Sequence, residues 1–94
     1  VEIKHKTFGI DLVMPEILQG QLEEFEKKLN VNAANEGSIQ LAIFNGSIVR
    51  TAAIVGWLPD ITPEDVDGMK PGKVQYLSSK IVKAVQEARE VPPE

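Results

Sequence analysis

Apolar positions along the chain change from one spacing to another. Residues 1–14, "VEIKHKTFGIDLVM", put Val1 and Ile3 and then, past a break near Gly9, Ile10 and Leu12 at alternate positions between polar neighbours. That period of two predicts a pair of half-buried strands turning near Thr7 to Gly9. From Pro15 the spacing lengthens, with Leu18, Leu22, Phe25 and Leu29 following at four, three and four. This is the stripe of an amphipathic helix, with Pro15 in its first turn, where a missing N–H costs nothing. Glu23 with Lys27 and Glu24 with Lys28 stand four apart in the favourable order, each pair contributing ~0.3 kcal/mol on the wet face. Asn30 is the expected stop, "NVNAANEG" at 30–37 reads as a loop, and Ser38 is placed to cap the segment after it.

The next segment, 38–57, admits two forms. Asn45-Gly46 inside "IFNGSIVR" is a strong short-range signal for a tight hairpin. Such a hairpin would set Ile43 opposite Ile48 and Leu41 opposite Arg50 on one face, with Ala42 facing Val49 on the other, and neither face is cleanly apolar. Wound as a helix, the segment is apolar nearly all round, with Arg50 close to Ile39, Ile43, Ala53 and Trp57. Ala52 and Ala53 favour that helix, while Gly46 costs about 1 kcal/mol relative to alanine. The helix is the expected form and the hairpin its alternative.

After "LPD" at 58–60, Thr62 is the expected N-cap, Pro63 the first helical residue, Asp65 the third and Gly68 the stop of one short acidic turn. From Pro71 a longer helix sets Val74, Leu77, Ile81, Val85 and Ala88 on one stripe, and "VPPE" ends it, because proline cannot continue a helix. The expected fold is mainly α (α+β) and a single domain over 1–94. A small N-terminal β-hairpin (1–14) precedes a helical part (15–94) of three longer helices and one short helical turn.

Charge sharpens this picture. Of 10 basic and 14 acidic residues, only Glu36 and Arg50 fall within 31–58, which marks the middle of the chain as the core. The net charge of −4 would repel a phosphate backbone, so nucleic acid is not an expected partner. The longest uncharged apolar run, "TAAIVGWL" at 51–58, is far short of the roughly 20 residues that cross a bilayer, so no membrane partner is expected. No basic segment leads into an apolar, small-residue cleavage pattern, which makes the cytoplasm the expected location. There is no cysteine, hence no disulfide, thiolate site or cysteine nucleophile.

No group of residues stands out as catalytic. His5 lies alone among lysines and is expected to be a plain exposed histidine. Asp60, Glu64, Asp65 and Asp67 lack the alternating ligands of a calcium loop, and helix capping accounts for them. Ser78-Ser79 lies mid-helix without a neighbouring base, so solvent-facing hydroxyls are expected. Lys70, Lys73, Lys80 and Lys83 form a basic stripe without interleaved aromatics, the pattern of a solvated face. No enzyme activity, metal or cofactor is expected. Trp57, beside Leu58, reads first as a core anchor and second as a binding hot spot.

The run "IVRTAAIVGWLPD" followed by "TPEDVDGMKPGKVQYLSSKIVKAVQEA" resembles the tail assembly chaperones of long-tailed bacteriophages over residues 47–90. The shared features are a basic residue and alanines leading to Gly-Trp, a Pro-led acidic turn, and an amphipathic helix opening on proline. The "GIDLVMPEI" segment is loosely compatible. The resemblance implies a protein of the host cell cytoplasm that coats the tape measure protein, helps recruit tail tube subunits and is absent from the finished virion. A homo-oligomer is expected with it, and Ile54, Trp57 and Leu58 are the side chains expected to bind partners at the surface. Two alternatives stand beside it: a small structural tail or connector component, and an acidic protein-binding regulator.

Overall fold

The computed structural model describes residues 1–36 and 41–91, with side-chain surroundings described to Asn30 and again from Ile43. Strands β1 (Glu2–His5) and β2 (Ile10–Val13) pair antiparallel, from Glu2 opposite Val13 to His5 opposite Ile10. The turn at residues 6–9 closes with the Gly9 N–H donating to the Lys6 carbonyl, and Gly9 sits at φ +65°, where a side chain would be strained. Alternation is clean: Ile3, Ile10 and Met14 are buried on one face, while Glu2, Lys4, Asp11 and Val13 face out on the other.

Helix α1 spans Gln19–Glu36, α2 Leu41–Ile54 and α3 Pro71–Arg89, with a 3-10 helix at Pro63–Gly68. The mainly helical architecture behind an N-terminal hairpin is the one expected. Residues 41–54 are helical, so no hairpin bends at Asn45-Gly46. Ile48, Val49, Ala52 and Val55 bury this helix in the centre. It is packed by α1, by α3 and by the 3-10 helix. The Tyr76 hydroxyl donates to the Lys4 carbonyl at 2.8 Å and ties the hairpin to α3. Arg89 of α3 pairs with Glu26 of α1. The whole is a slab of 43 × 34 × 19 Å.

The helix ends depart from expectation, each for a physical reason. Helix α1 does not begin at Pro15 but at Gln19. Leu18 acts as N-cap residue, its N–H donating to Gln21 Oε1 at 3.3 Å, one half of a capping box. Neither does α1 stop at Asn30: its backbone stays helical to Glu36, because asparagine is only mildly unfavourable within a helix. Ser38, the expected cap, lies outside the described residues. Helix α2 ends at Ile54 rather than reaching Trp57, since Gly56 turns the chain at φ +90°. Gly56 N–H donates to the Ala53 carbonyl at 3.2 Å and Trp57 N–H to the Ala52 carbonyl at 3.0 Å. Those two bonds are a Schellman cap. Thr62, Pro63 and Asp65 meet expectation, with the Thr62 N–H donating to Asp65 Oδ2 at 2.9 Å. In α3 the buried stripe is Val74, Leu77, Ile81 and Ala84, and Ala88 is exposed.

Candidate protein-binding surface

The three residues expected at the surface do not stay together. After Gly56 reverses the backbone, Trp57 is 0% exposed and Leu58 is buried. The Trp57 ring lies 4.7 Å from that of Phe25, and its indole N–H donates to Gln21 Oε1 at 3.4 Å. Both residues are therefore core, because the cap that ends α2 sends them inward under α1. Ile54, one residue before the turn begins, keeps 51% of its surface.

Ile54 has a partner stripe on its own helix. Ile43, Arg50 and Ile54 recur at seven and four, so they lie along one side of α2. Ile43 is 38% exposed, and Arg50 is half-buried. Arg50 Nη2 reaches Asp67 Oδ1 of the 3-10 helix at 2.5 Å and so spans the gap between the two elements. An ion pair this exposed contributes ~0–1 kcal/mol.

Beside this stripe runs an open groove between α2 and α3. One recess of about 340 Å³ is lined by Gly46, Arg50, Asp67 and Val74. A second, of about 320 Å³, is lined by Phe44, Ser79, Val82 and Lys83. Asn45 and Gln75 line both, so the two recesses adjoin. The floor of the groove is pinned by the Ser78 hydroxyl, which donates to Asn45 Oδ1 at 3.1 Å. Ser78 is thus buried rather than solvent-facing, whereas Ser79 is exposed and donates to the Tyr76 carbonyl. Ile54 is not among the residues that line either recess.

Gly46 lies in this groove, under Arg50. A β-carbon there would come within 3.0 Å of Arg50 Nη1, the far end of a flexible side chain. Gly46→Ala is therefore expected to gain most of the ~1 kcal/mol of helix propensity at the expense of a small shift of Arg50. A rise of a few degrees in a thermal melt checks this; a fall would mean that Arg50 cannot move.

His5 is also placed differently from expectation. It is half-buried, its ring 4.5 Å from Phe8 and 4.6 Å from Tyr76, and Nδ1 accepts the Phe8 N–H at 3.3 Å. It stabilises the turn of the hairpin. Lys80 Nζ lies 5.4 Å from the centre of the Tyr76 ring, so part of the basic stripe packs on an aromatic face. Among the described residues no cluster of histidine, cysteine, aspartate or glutamate could hold a metal ion, and no helix is long and apolar enough to cross a membrane.

Sequence reasoning missed Ile43, Phe44 and Val82 as surface residues. Val82 gave a signal, since it is an apolar residue off the Val74-Leu77-Ile81 stripe. Ile43 and Phe44 gave none, being indistinguishable from the rest of an apolar helix. No protein-family model, no curated protein and no solved structure matches the chain.

Proposed function

We propose that this protein works by holding other proteins, as a tail assembly chaperone-like factor that binds tape measure and tail tube proteins through apolar surface. The observation that carries the reading is the outer stripe of α2. In fourteen residues this helix has one charge, Arg50, and its neighbours leave Ile43 and Ile54 uncovered on the same side. Half-exposed isoleucines on a helix whose opposite side, with Ile48, Val49 and Ala52, is buried suit contact with an apolar partner surface. The resemblance over residues 47–90 supplies the identity of that partner. Host cytoplasm is the compartment this reading requires.

Ile54 is the residue to test. Ile54→Lys places a cation in the last turn of α2, where the helix dipole favours it, so the fold is retained. On co-expression with the candidate tape measure protein, the wild-type chain co-purifies with it and the variant is expected to lose at least tenfold of the yield. Little of the wild-type complex should be lost in high salt, because apolar contact is not screened. A tape measure protein that fails to co-purify with the wild-type chain would overturn the proposal. Finding the chain in purified virions by mass spectrometry would replace it with the structural-component alternative.

A further inference from the structure

Among the described residues, one edge of the hairpin is left open. Val1 and Met14 exchange both backbone bonds, the Val1 amine donating to the Met14 carbonyl at 3.1 Å and the Met14 N–H to the Val1 carbonyl at 2.7 Å. Bonded and non-bonded pairs alternate in an antiparallel ladder, so Glu2 with Val13 and Lys4 with Asp11 are the pairs whose N–H and C=O groups point outward. On the β1 side the Tyr76 hydroxyl of α3 takes the Lys4 carbonyl. On the β2 side the sheet has no further strand, and among the described residues the N–H and C=O groups of Asp11 and Val13 have no partner. Both residues are exposed, Val13 at 57%. From this we infer that β2 receives an extended segment of a different protein as a third, antiparallel strand, one that reads apolar-x-basic in chain order.

Backbone and side chains together specify that occupant. The outward donors and acceptors of Asp11 and Val13 match those of an extended strand, which would bond to each residue reciprocally. Antiparallel pairing sets one residue of the segment beside Asp11 and the residue two earlier beside Val13. The Asp11 carboxylate has no ion pair among the described residues, and Lys4, opposite it, turns its ammonium to Glu2 Oε2 at 3.9 Å. A basic side chain is therefore favoured beside Asp11 and an apolar one beside Val13. The residue between them falls beside half-buried Leu12, where an apolar side chain suits. A second copy of the chain does not fit. Centred on Asp11, a two-fold pairing sets two carboxylates directly opposite each other, and centred on Leu12 it sets each Asp11 against an apolar Val13. Centred on Val13, it sets Asp11 against Pro15, which has no N–H to give. The carboxylate thus keeps like copies off an open edge and admits a segment of opposite charge. This arrangement does not depend on the tail-protein reading, since it uses neither Ile54 nor any tail protein.

The probe is the peptide Ser-Thr-Val-Val-Lys-Thr-Ser, acetylated and amidated, added to the isotope-labelled full chain up to about 5 mM so that a contact of millimolar affinity is read by NMR. Shifted resonances and slowed hydrogen exchange are expected at the Asp11 and Val13 amides. N-methyl groups on the Lys and the first Val of the peptide remove the donors that face β2, and binding is expected to fall about tenfold or more. On the second Val, whose N–H faces away, an N-methyl group is expected to change binding less than about threefold. Replacing the Lys by Glu is expected to weaken binding about threefold or more, and Asp11→Lys, at an exposed position, to reverse that order. A peptide that leaves both amides unchanged at the highest concentration overturns the inference. So does equal binding by the doubly N-methylated peptide, and so does a preference for Lys over Glu that Asp11→Lys leaves unreversed. Protection of the two amides without peptide, growing with protein concentration, would also overturn it, because a second copy would then be the occupant.

Discussion

Trp57→Ala is expected to cost ~3–5 kcal/mol, the range for removing a fully enclosed aromatic side chain. For a chain of 94 residues, whose stability falls in the region of 5–14 kcal/mol, that is a large share of the total. The corresponding fall in melting temperature is at least about 12 °C. Three features converge on this residue. Its side chain is sealed from water, its ring packs on Phe25, and its indole N–H is taken by Gln21, whose same oxygen also accepts the N–H that opens α1. Trp57→Phe keeps part of the apolar contact but leaves a void beside the unmade Gln21 bond, so a smaller loss of about 1–3 kcal/mol is expected. A melt in which Trp57→Ala shifts by less than about 2 °C would mean that the side chain is not enclosed as described. Because the alanine variant acts on the fold, loss of a binding partner from it says nothing about an interface. Ile54 is the position where binding and folding come apart.

The elements that could be read from sequence are those where local chemistry acts alone. Ile3, Ile10 and Leu12 alternate because one face of the hairpin is covered, and the alternation is visible without knowing what covers it. Thr62, Pro63 and Asp65 satisfy one another within four residues, so the short acidic turn needs no tertiary partner. Leu77 and Ile81 lie on a stripe that α2 buries, and Pro71 marks its start. The helical form of 41–54 could be inferred by a failure: the alternative hairpin gave no clean face.

What could not be read depends on distant contacts. Gln21 begins α1 at Leu18 while also receiving the Trp57 indole, a bond across 36 residues that no window of sequence contains. Gly56 is one glycine among 7, and only the pair of carbonyls it leaves facing Gly56 and Trp57 N–H groups makes it the end of α2. That single turn decided the candidate site. It carries Trp57 and Leu58 into the core and leaves Ile54 outside, so three neighbouring apolar residues have opposite fates. Ser78 and Ser79 divide in the same way, one under Asn45 and the other in solvent, because adjacent residues on a helix point about 100° apart.

The wet stripe of α2 can be tested by placing a charge on each side of it. Val49 is 0% exposed and Ile54 is 51% exposed on the same helix. Val49→Asp puts a carboxylate among Ile48, Ala52 and the packed faces of α1 and α3, where the apolar core offers it no counter-charge. An unpaired buried charge costs several kcal/mol, typically more than about 4, so the variant is expected to melt at least about 16 °C below the wild type. Ile54→Lys trades exposed apolar area for a cation near the C-terminal end of the helix, and a change within about 0.5 kcal/mol is expected. Circular dichroism with thermal melting reads both. Equal loss of structure in the two would mean that α2 is covered on every side, and with it would go the apolar surface on which the binding proposal stands. Retention of structure in both would mean that the helix is not the centre of the fold. Only a collapse at 49 together with indifference at 54 agrees with a helix that three neighbours wrap and a partner completes.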